Sequence, residues 1–87
     1  MTTQKCYAFA MHLSRADKKS VLSGIGTELR RRRQKLGISQ SALATKAGIH
    51  CNVVGRTERG IYNPSVMTLD AIAAGLNTSI AELLRKV

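Results

Sequence analysis

The segment Gln40–Gly60, QSALATKAGIHCNVVGRTERG, most constrains what this chain can fold into. Leu43, Ala44 and Ala47 recur at helical spacing, Gly48 interrupts the pattern, and Ile49, Val54 and Thr57 resume it on the same side. The spacing predicts two short helices joined by a tight glycine turn. Ser39 is the expected N-cap of the first, and the second starts around His50 or Cys51 and runs to about Arg59. Helices this short do not persist alone in water, so the rest of the chain has to supply a bundle around them.

The flanking sequence supplies the material for one. Upstream, Ser23 is the expected N-cap of a helix through IGTELRRRRQKL that stops at Gly37, with Ile25, Leu29 and Leu36 as its buried side and Arg32 and Arg33 near the edge of that stripe. Downstream, the loop IYNP is closed by Pro64, and Ser65 caps a helix with Val66, Leu69, Ile72, Ala73 and Leu76 as its apolar set. Ser79 caps a last, very short helix whose stripe is Ile80, Leu83 and Leu84. Part of that stripe must seal the core, and the remainder is the expected homodimer interface across a two-fold axis. The fold class expected is therefore all-α: a compact five-helix bundle over residues 24–87, preceded by an N-terminal extension over 1–23 that is disordered or forms one extra helix. In the extension Cys6, Phe9, Ala10 and Leu13 fall at helical spacing, whereas Thr2, Thr3 and Gln4 read as a frayed end. It reads as a basic arm, as a short helix packed on the domain or a partner subunit, or as an extended start with Met11 as the alternative initiator.

Chain length and charge narrow the function. Eighty-seven residues make one domain with a modest core, for which oligomerisation is a source of extra stability. Fourteen Lys and Arg against five Asp and Glu give a net charge of +9, which favours a polyanionic partner: nucleic acid ahead of an anionic membrane surface. No apolar run approaches the roughly 20 residues of a membrane span. The N-terminus lacks a signal-peptide layout, so a cytoplasmic location is expected. Cys6 and Cys51 belong to no CxxC or Cys/His pattern and read as free thiols, and His12 and His50 are equally isolated, so no metal and no cofactor are expected. Tyr7, Phe9 and Tyr62 are the only aromatics, too few for a single-strand stacking platform. No carboxylate pair, nucleophile–base arrangement or phosphate-binding glycine loop points to an enzyme.

Two short helices around a glycine turn are the helix-turn-helix unit, whose second helix enters the DNA major groove. On the outer side of that helix, Asn52 can pair bidentately with adenine and Arg56 with guanine. Val53 offers a thymine-methyl contact, and Cys51 either does the same or packs. Asn52 also reads as an ordinary first-turn residue, and Arg56 as a phosphate contact. Gln40 lies in the first turn of its helix beside the positive end of the dipole, where an amide can donate to a phosphate, with Ser39 next to it. Arg31, from the run Arg30–Arg33, and the loop residues Tyr62 and Asn63 complete the expected phosphate contacts; for the loop pair, packing is the competing role. Gly55 in mid-helix costs about 1 kcal/mol relative to Ala. It either admits the DNA backbone or is simply tolerated.

The pattern IGTELRRRRQKLGISQSALATKAGI, VVGRTERG, NPSVMTLDAIAAGL and SIAELL, over about Ile25 to Leu84, resembles the Cro and phage-repressor type (XRE-like) helix-turn-helix family. The resemblance implies a five-helix bundle that binds operator DNA as a symmetric dimer. It assigns Gln40 to a phosphate, Gly48 to the inter-helix turn, and Cys51, Asn52 and Arg56 to bases, and makes Arg33–Glu58 an internal salt bridge. In size and charge the chain is similar to the single-domain controllers of restriction–modification systems; small phage repressors and antitoxins share the motifs. Three residues depart from the pattern: Thr57 stands for a larger apolar residue, Arg32 for an apolar one, and His50 for a Ser or Thr cap. The competing class is a protein-binding module, such as an antitoxin that neutralises a toxin and binds DNA secondarily.

Overall fold

The computed structural model describes residues 15–85 and 87, which form α1 (Arg15–Leu36), α2 (Gln40–Ala47), α3 (Cys51–Glu58), α4 (Val66–Gly75) and α5 (Ile80–Arg85). The all-α, five-helix architecture is the expected one. The expectations for residues 1–14, including the Met11 start, lie outside the described residues.

The start of α1 differs from expectation. The helix does not begin at Ser23 but runs straight through it from Arg15, over 22 residues. Upstream of Ser23 the sequence RADKKSVL is made largely of good helix formers, so nothing there ends a helix. Ser23 lies instead against Gly60, whose left-handed backbone (φ 72°) brings it so close that a Cβ would stand 3.1 Å from the Ser23 Cα. One turn further on, at Gly26, α1 comes up against the end of α3. A Cβ there would lie 2.5 Å from the carbonyl oxygens of both Thr57 and Glu58. The missing side chain is what lets α1 lie directly on the end of α3.

The core is a single cluster of Ile25, Leu29, Leu43, Ala44, Val54, Leu69, Ile72, Ala73, Leu76 and Leu83, with Ile38, Ile49 and Ile80 packed against its edge. Two apolar residues expected inside are outside: Leu36 at the last turn of α1 is 43% exposed, and Val66 at the first turn of α4 is 72% exposed. Both stripes run past the end of the surface that the neighbouring helices cover. Of the short helices, α2, α4 and α5 have a hydroxyl at their start, as expected: Ser39 Oγ accepts from Ala42 N at 3.0 Å, Ser65 Oγ from Thr68 N at 3.1 Å, and Ser79 Oγ from Glu82 N at 3.2 Å. α5 has only six residues and is anchored by Leu83, which is fully buried in the core. Leu83 is thus the member of the Ile80, Leu83 and Leu84 stripe that seals the core, which leaves Leu84 and the edge of Ile80 at the surface.

Candidate nucleic-acid interface

The turn between α2 and α3 is built as the sequence predicts. Gly48 adopts the left-handed region (φ 70°, ψ 32°), and the amide of Ile49 donates back to Ala44 O at 3.0 Å, closing the end of α2 while Ile49 packs on the core. His50, where the capping group was in question, does cap α3: its ring Nδ1 accepts from Asn52 N at 3.1 Å. An imidazole accepts there only with its proton on the other nitrogen.

Behind α3 everything is committed. Val54 is buried without residue, and Thr57 is 1% exposed. The Thr57 hydroxyl donates to Val53 O at 2.7 Å, so a polar side chain sits in the core with its hydrogen bond satisfied on its own helix. In front, Cys51, Asn52 and Arg56 are exposed and Val53 is half-buried. Asn52 and Arg56, one helical turn apart, share a face. Among the described residues neither side chain has a hydrogen-bond partner; the Cys51 sulfur lies 3.9 Å from His50 Nδ1. Tyr62 is half-buried and Asn63 exposed in the loop that follows, around a buried Pro64.

The end of α3 is fixed by Glu58, whose side chain is fully buried and receives four hydrogen bonds. Arg33 forks onto both oxygens and donates a third bond to Ile38 O at 2.8 Å. Oε1 also accepts from Gln40 Nε2 at 3.0 Å and from Arg30 Nε at 3.3 Å. Burial alone would raise the Glu58 pKa, but the hydrogen bonds from Arg33 and then Gln40, with the Arg33 charge, outweigh it and hold the carboxyl below its usual range. The Arg33–Glu58 pair that the resemblance implied is thus present in the described geometry, and it includes two residues that the sequence did not connect to it. Gln40, expected to be free for a phosphate, has one amide hydrogen on Glu58 and the other remaining.

Gly55 also finds its place here. It is buried and faces α2, not the outside: a Cβ on it would lie 3.3 Å from Gln40 Oε1 and 3.7 Å from Arg59 Nη1.

A second carboxylate, Glu28, was missed. Its side chain is 8% exposed and takes a two-pronged pair from Arg31 (3.0 and 2.7 Å) and a bond from Arg32 at 2.8 Å. Arg32 reaches onward to Thr78 Oγ1 at 3.3 Å and Glu82 O at 3.2 Å, tying α1 to the end of the chain. The Arg31 hydrogen bond leads, against the opposing effect of burial, in holding the Glu28 pKa at about 2. The signal was readable: Glu28 stands three and four residues before Arg31 and Arg32. Arg31, expected on a phosphate, is closed in that fork.

At the far end of α1, Ser20, Val21, Gly24 and Ile25 line an open groove of about 550 Å³ with Leu84 and Val87. Val21 and Val87 are about half exposed and Leu84 is 36% exposed, while Ile80 turns partly into the core. Among the described residues no three His, Cys, Asp or Glu gather as a metal site, and no helix is long and apolar enough to cross a membrane.

Comparison with known proteins agrees with this geometry. The helix-turn-helix family pattern matches residues 29–83. The chain is 35% identical over 63 residues to the HTH-type transcriptional regulator SinR of Bacillus licheniformis, covering 71% of this chain and 57% of that protein. An HTH-type transcriptional regulator of Archaeoglobus fulgidus is 37% identical over 57 residues, 66% of this chain and 81% of that one. Among solved structures, the restriction-modification controller protein C.AhdI from Aeromonas hydrophila superimposes with a TM-score of 0.69 at 35% identity, over 71% of this chain and 94% of its own.

Proposed function

The chain belongs to the helix-turn-helix family, and we propose that it is a transcriptional regulator that binds duplex DNA sequence-specifically in the cytoplasm, as a homodimer, with no catalytic activity. One observation carries the reading: α3 is locked from behind by Val54, Thr57 and Glu58 while Asn52 and Arg56 stand exposed and unengaged among the described residues on its outer face. A rigidly held helix with one polar, donor-rich face is what base readout in a major groove requires. In this reading Asn52 and Arg56 take the edges of adenine and guanine, with Val53 and Cys51 at their flank. Gln40, Ser39, Tyr62 and Asn63 contact phosphates and set the register. Arg31 is left out of that set because Glu28 occupies its fork.

Two copies place their α3 helices about 34–36 Å apart on a near-palindromic operator. With Leu83 inside the protomer, the apolar surface left for pairing is Leu84, with Ile80 at its edge and Val21 and Val87 across the groove. The likeness to C.AhdI, which extends over 94% of that controller, favours the genes of a restriction–modification system as the target.

Selection of bound sequences from random duplex DNA, with stoichiometry measured on the winner, tests this. The expected result is an enriched motif with two-fold symmetry bound by two chains. A pool that shows no enrichment would end the base-readout reading, and one chain per symmetric site would end the dimer.

A further inference from the structure

We propose that Arg30 and Arg59, both beside the Gln40 carboxamide, form a phosphate clamp for duplex DNA, with Gly55 as the gap in which that carboxamide lies. The proposal rests on the reading of the chain as a DNA-binding protein and adds to its contact surface Arg59 and, from the arginine run expected to supply a phosphate contact, Arg30 in place of Arg31.

Three donors converge at this point of the fold. Gln40 Nε2 and Arg30 Nε donate to the same oxygen, Glu58 Oε1, at 3.0 and 3.3 Å, so the amide and the guanidinium are neighbours across a single atom. The empty Cβ position of Gly55 lies 3.3 Å from Gln40 Oε1 and 3.7 Å from Arg59 Nη1, so that a second guanidinium and the carboxamide border the same gap. With Arg33 the cluster holds three positive charges against the one carboxylate of Glu58. Arg33 already answers that carboxylate with two of its nitrogens.

The surplus charge is accessible. The Arg30 side chain is 50% exposed and uses only Nε, and among the described residues neither of its terminal nitrogens has a partner. Arg59 is exposed, and its side chain makes no hydrogen bond among the described residues. Two forked guanidinium groups with unfilled donors around an amide that also retains a free hydrogen match the oxygens of a phosphodiester. Arg31, one residue along from Arg30 and 49% exposed, is different: two of its nitrogens are engaged by Glu28. Exposure does not separate Arg30 from Arg31, but their partners do. Gly55 acquires a purpose as well. A methyl group 3.3 Å from Gln40 Oε1 would crowd the carboxamide and shift it by a few tenths of an ångström.

The test uses the full chain and a mixed-sequence 24-base-pair duplex, since phosphate contacts do not depend on the operator. Affinity is measured from 50 to 200 mM salt for the wild type and for Arg30→Gln, Arg59→Gln and Arg31→Gln, which all remove one charge. Arg30→Gln and Arg59→Gln are each expected to reduce the salt exponent by about 0.9 per bound protomer, and Arg31→Gln to leave it at the wild-type value. Thermal melting checks that each variant is folded. Arg59→Gln keeps the test decisive if Arg30→Gln loosens Glu58. Wild-type exponents in both Arg30→Gln and Arg59→Gln would overturn the clamp, as would an equal drop in Arg31→Gln. A wild-type chain that does not bind the duplex would instead overturn the DNA-binding reading itself.

Discussion

One run of four arginines serves two buried carboxylates, and the two centres are built differently. Arg30 and Arg33 turn to Glu58, which also takes Gln40 from α2, so that α1, α2 and α3 meet at one carboxyl group. Arg31 and Arg32 turn to Glu28 on their own helix, and only Arg32 reaches further, to Thr78 and to the Glu82 carbonyl. The first centre fixes the orientation of α3 relative to α2, while the second fastens α5 to α1. A charge run on a helix is commonly a solvated face. Here the outer members, three residues apart and so on one side of the helix, turn to Glu58, while the inner pair reaches back one turn to Glu28.

The largest effect expected from this difference comes from Glu58→Gln. A glutamine leaves Arg33 buried beside a neutral group and turns an NH2 towards donors, at a cost of about 3–5 kcal/mol. Both the melting temperature and the affinity for any duplex should fall, because Gln40 loses its hold. Glu28→Gln should cost about 1–3 kcal/mol with little change in affinity, since its arginines are more exposed. Equal losses of affinity in the two variants would show that the centres are equivalent and break the comparison.

A second test asks whether the Glu58 centre depends on backbone contact as well as charge. Gly26→Ala gains helix propensity but places a methyl group 2.5 Å from the Thr57 and Glu58 carbonyls. The clash should dominate, with a net loss of about 1–3 kcal/mol in urea unfolding. A stabilised Gly26→Ala variant would mean that α1 slides on α3 with ease, and the ion pair would then be the main tie.

Acid separates the two centres further. Glu28 is held at about 2, against an ordinary 4.5, so it contributes stability that is complete above pH 4.5 and is lost as the pH falls towards 2. Glu58 is shifted in the same direction, so its contribution has the same sign. Glu28→Gln should flatten the stability profile between pH 4.5 and 2 by about 2 kcal/mol, after discounting for the half-exposed Arg31. An unchanged acid profile in that variant would remove Glu28 from the account of stability.

How far the sequence revealed these features depends on the range of the interaction. The caps at Ser39, Ser65 and Ser79 and the turn at Gly48 are decided within four residues and were legible. So was the exposed placement of Asn52 and Arg56, which follows from helical period once Val54 and Thr57 point inward. The start of α1 was not, because Ser23 suits a cap and is also tolerated inside a helix whose upstream residues favour continuation. Nor did periodicity tell which member of Ile80, Leu83 and Leu84 enters the protomer's own core, since a six-residue helix presents all three on one stripe. The sharing of Glu58 among Arg30, Arg33 and Gln40 depends on contacts up to 28 residues apart, which no local pattern encodes. Gly55 was readable only as an anomaly until Gln40 was seen lying over it.

The smallest expected effect tests the two ends of α3 against each other. Its C-terminal end is gripped by the buried Glu58, and its N-terminal end by the exposed His50, which closes one backbone amide, that of Asn52. His50→Ala should cost about 1 kcal/mol, and His50→Ser should restore most of it, because a serine oxygen caps the same turn. The more informative readout is selectivity. Loosening the first turn frees the backbone that carries Asn52 while leaving Gln40 and Glu58 in place, so His50→Ala should blur preference at the base pair proposed for Asn52 and leave affinity for mixed-sequence duplex unchanged. If His50→Ala instead weakened binding to every sequence alike, the helix would be held as one rigid piece, and the division between a reading end and an anchored end would have to be abandoned.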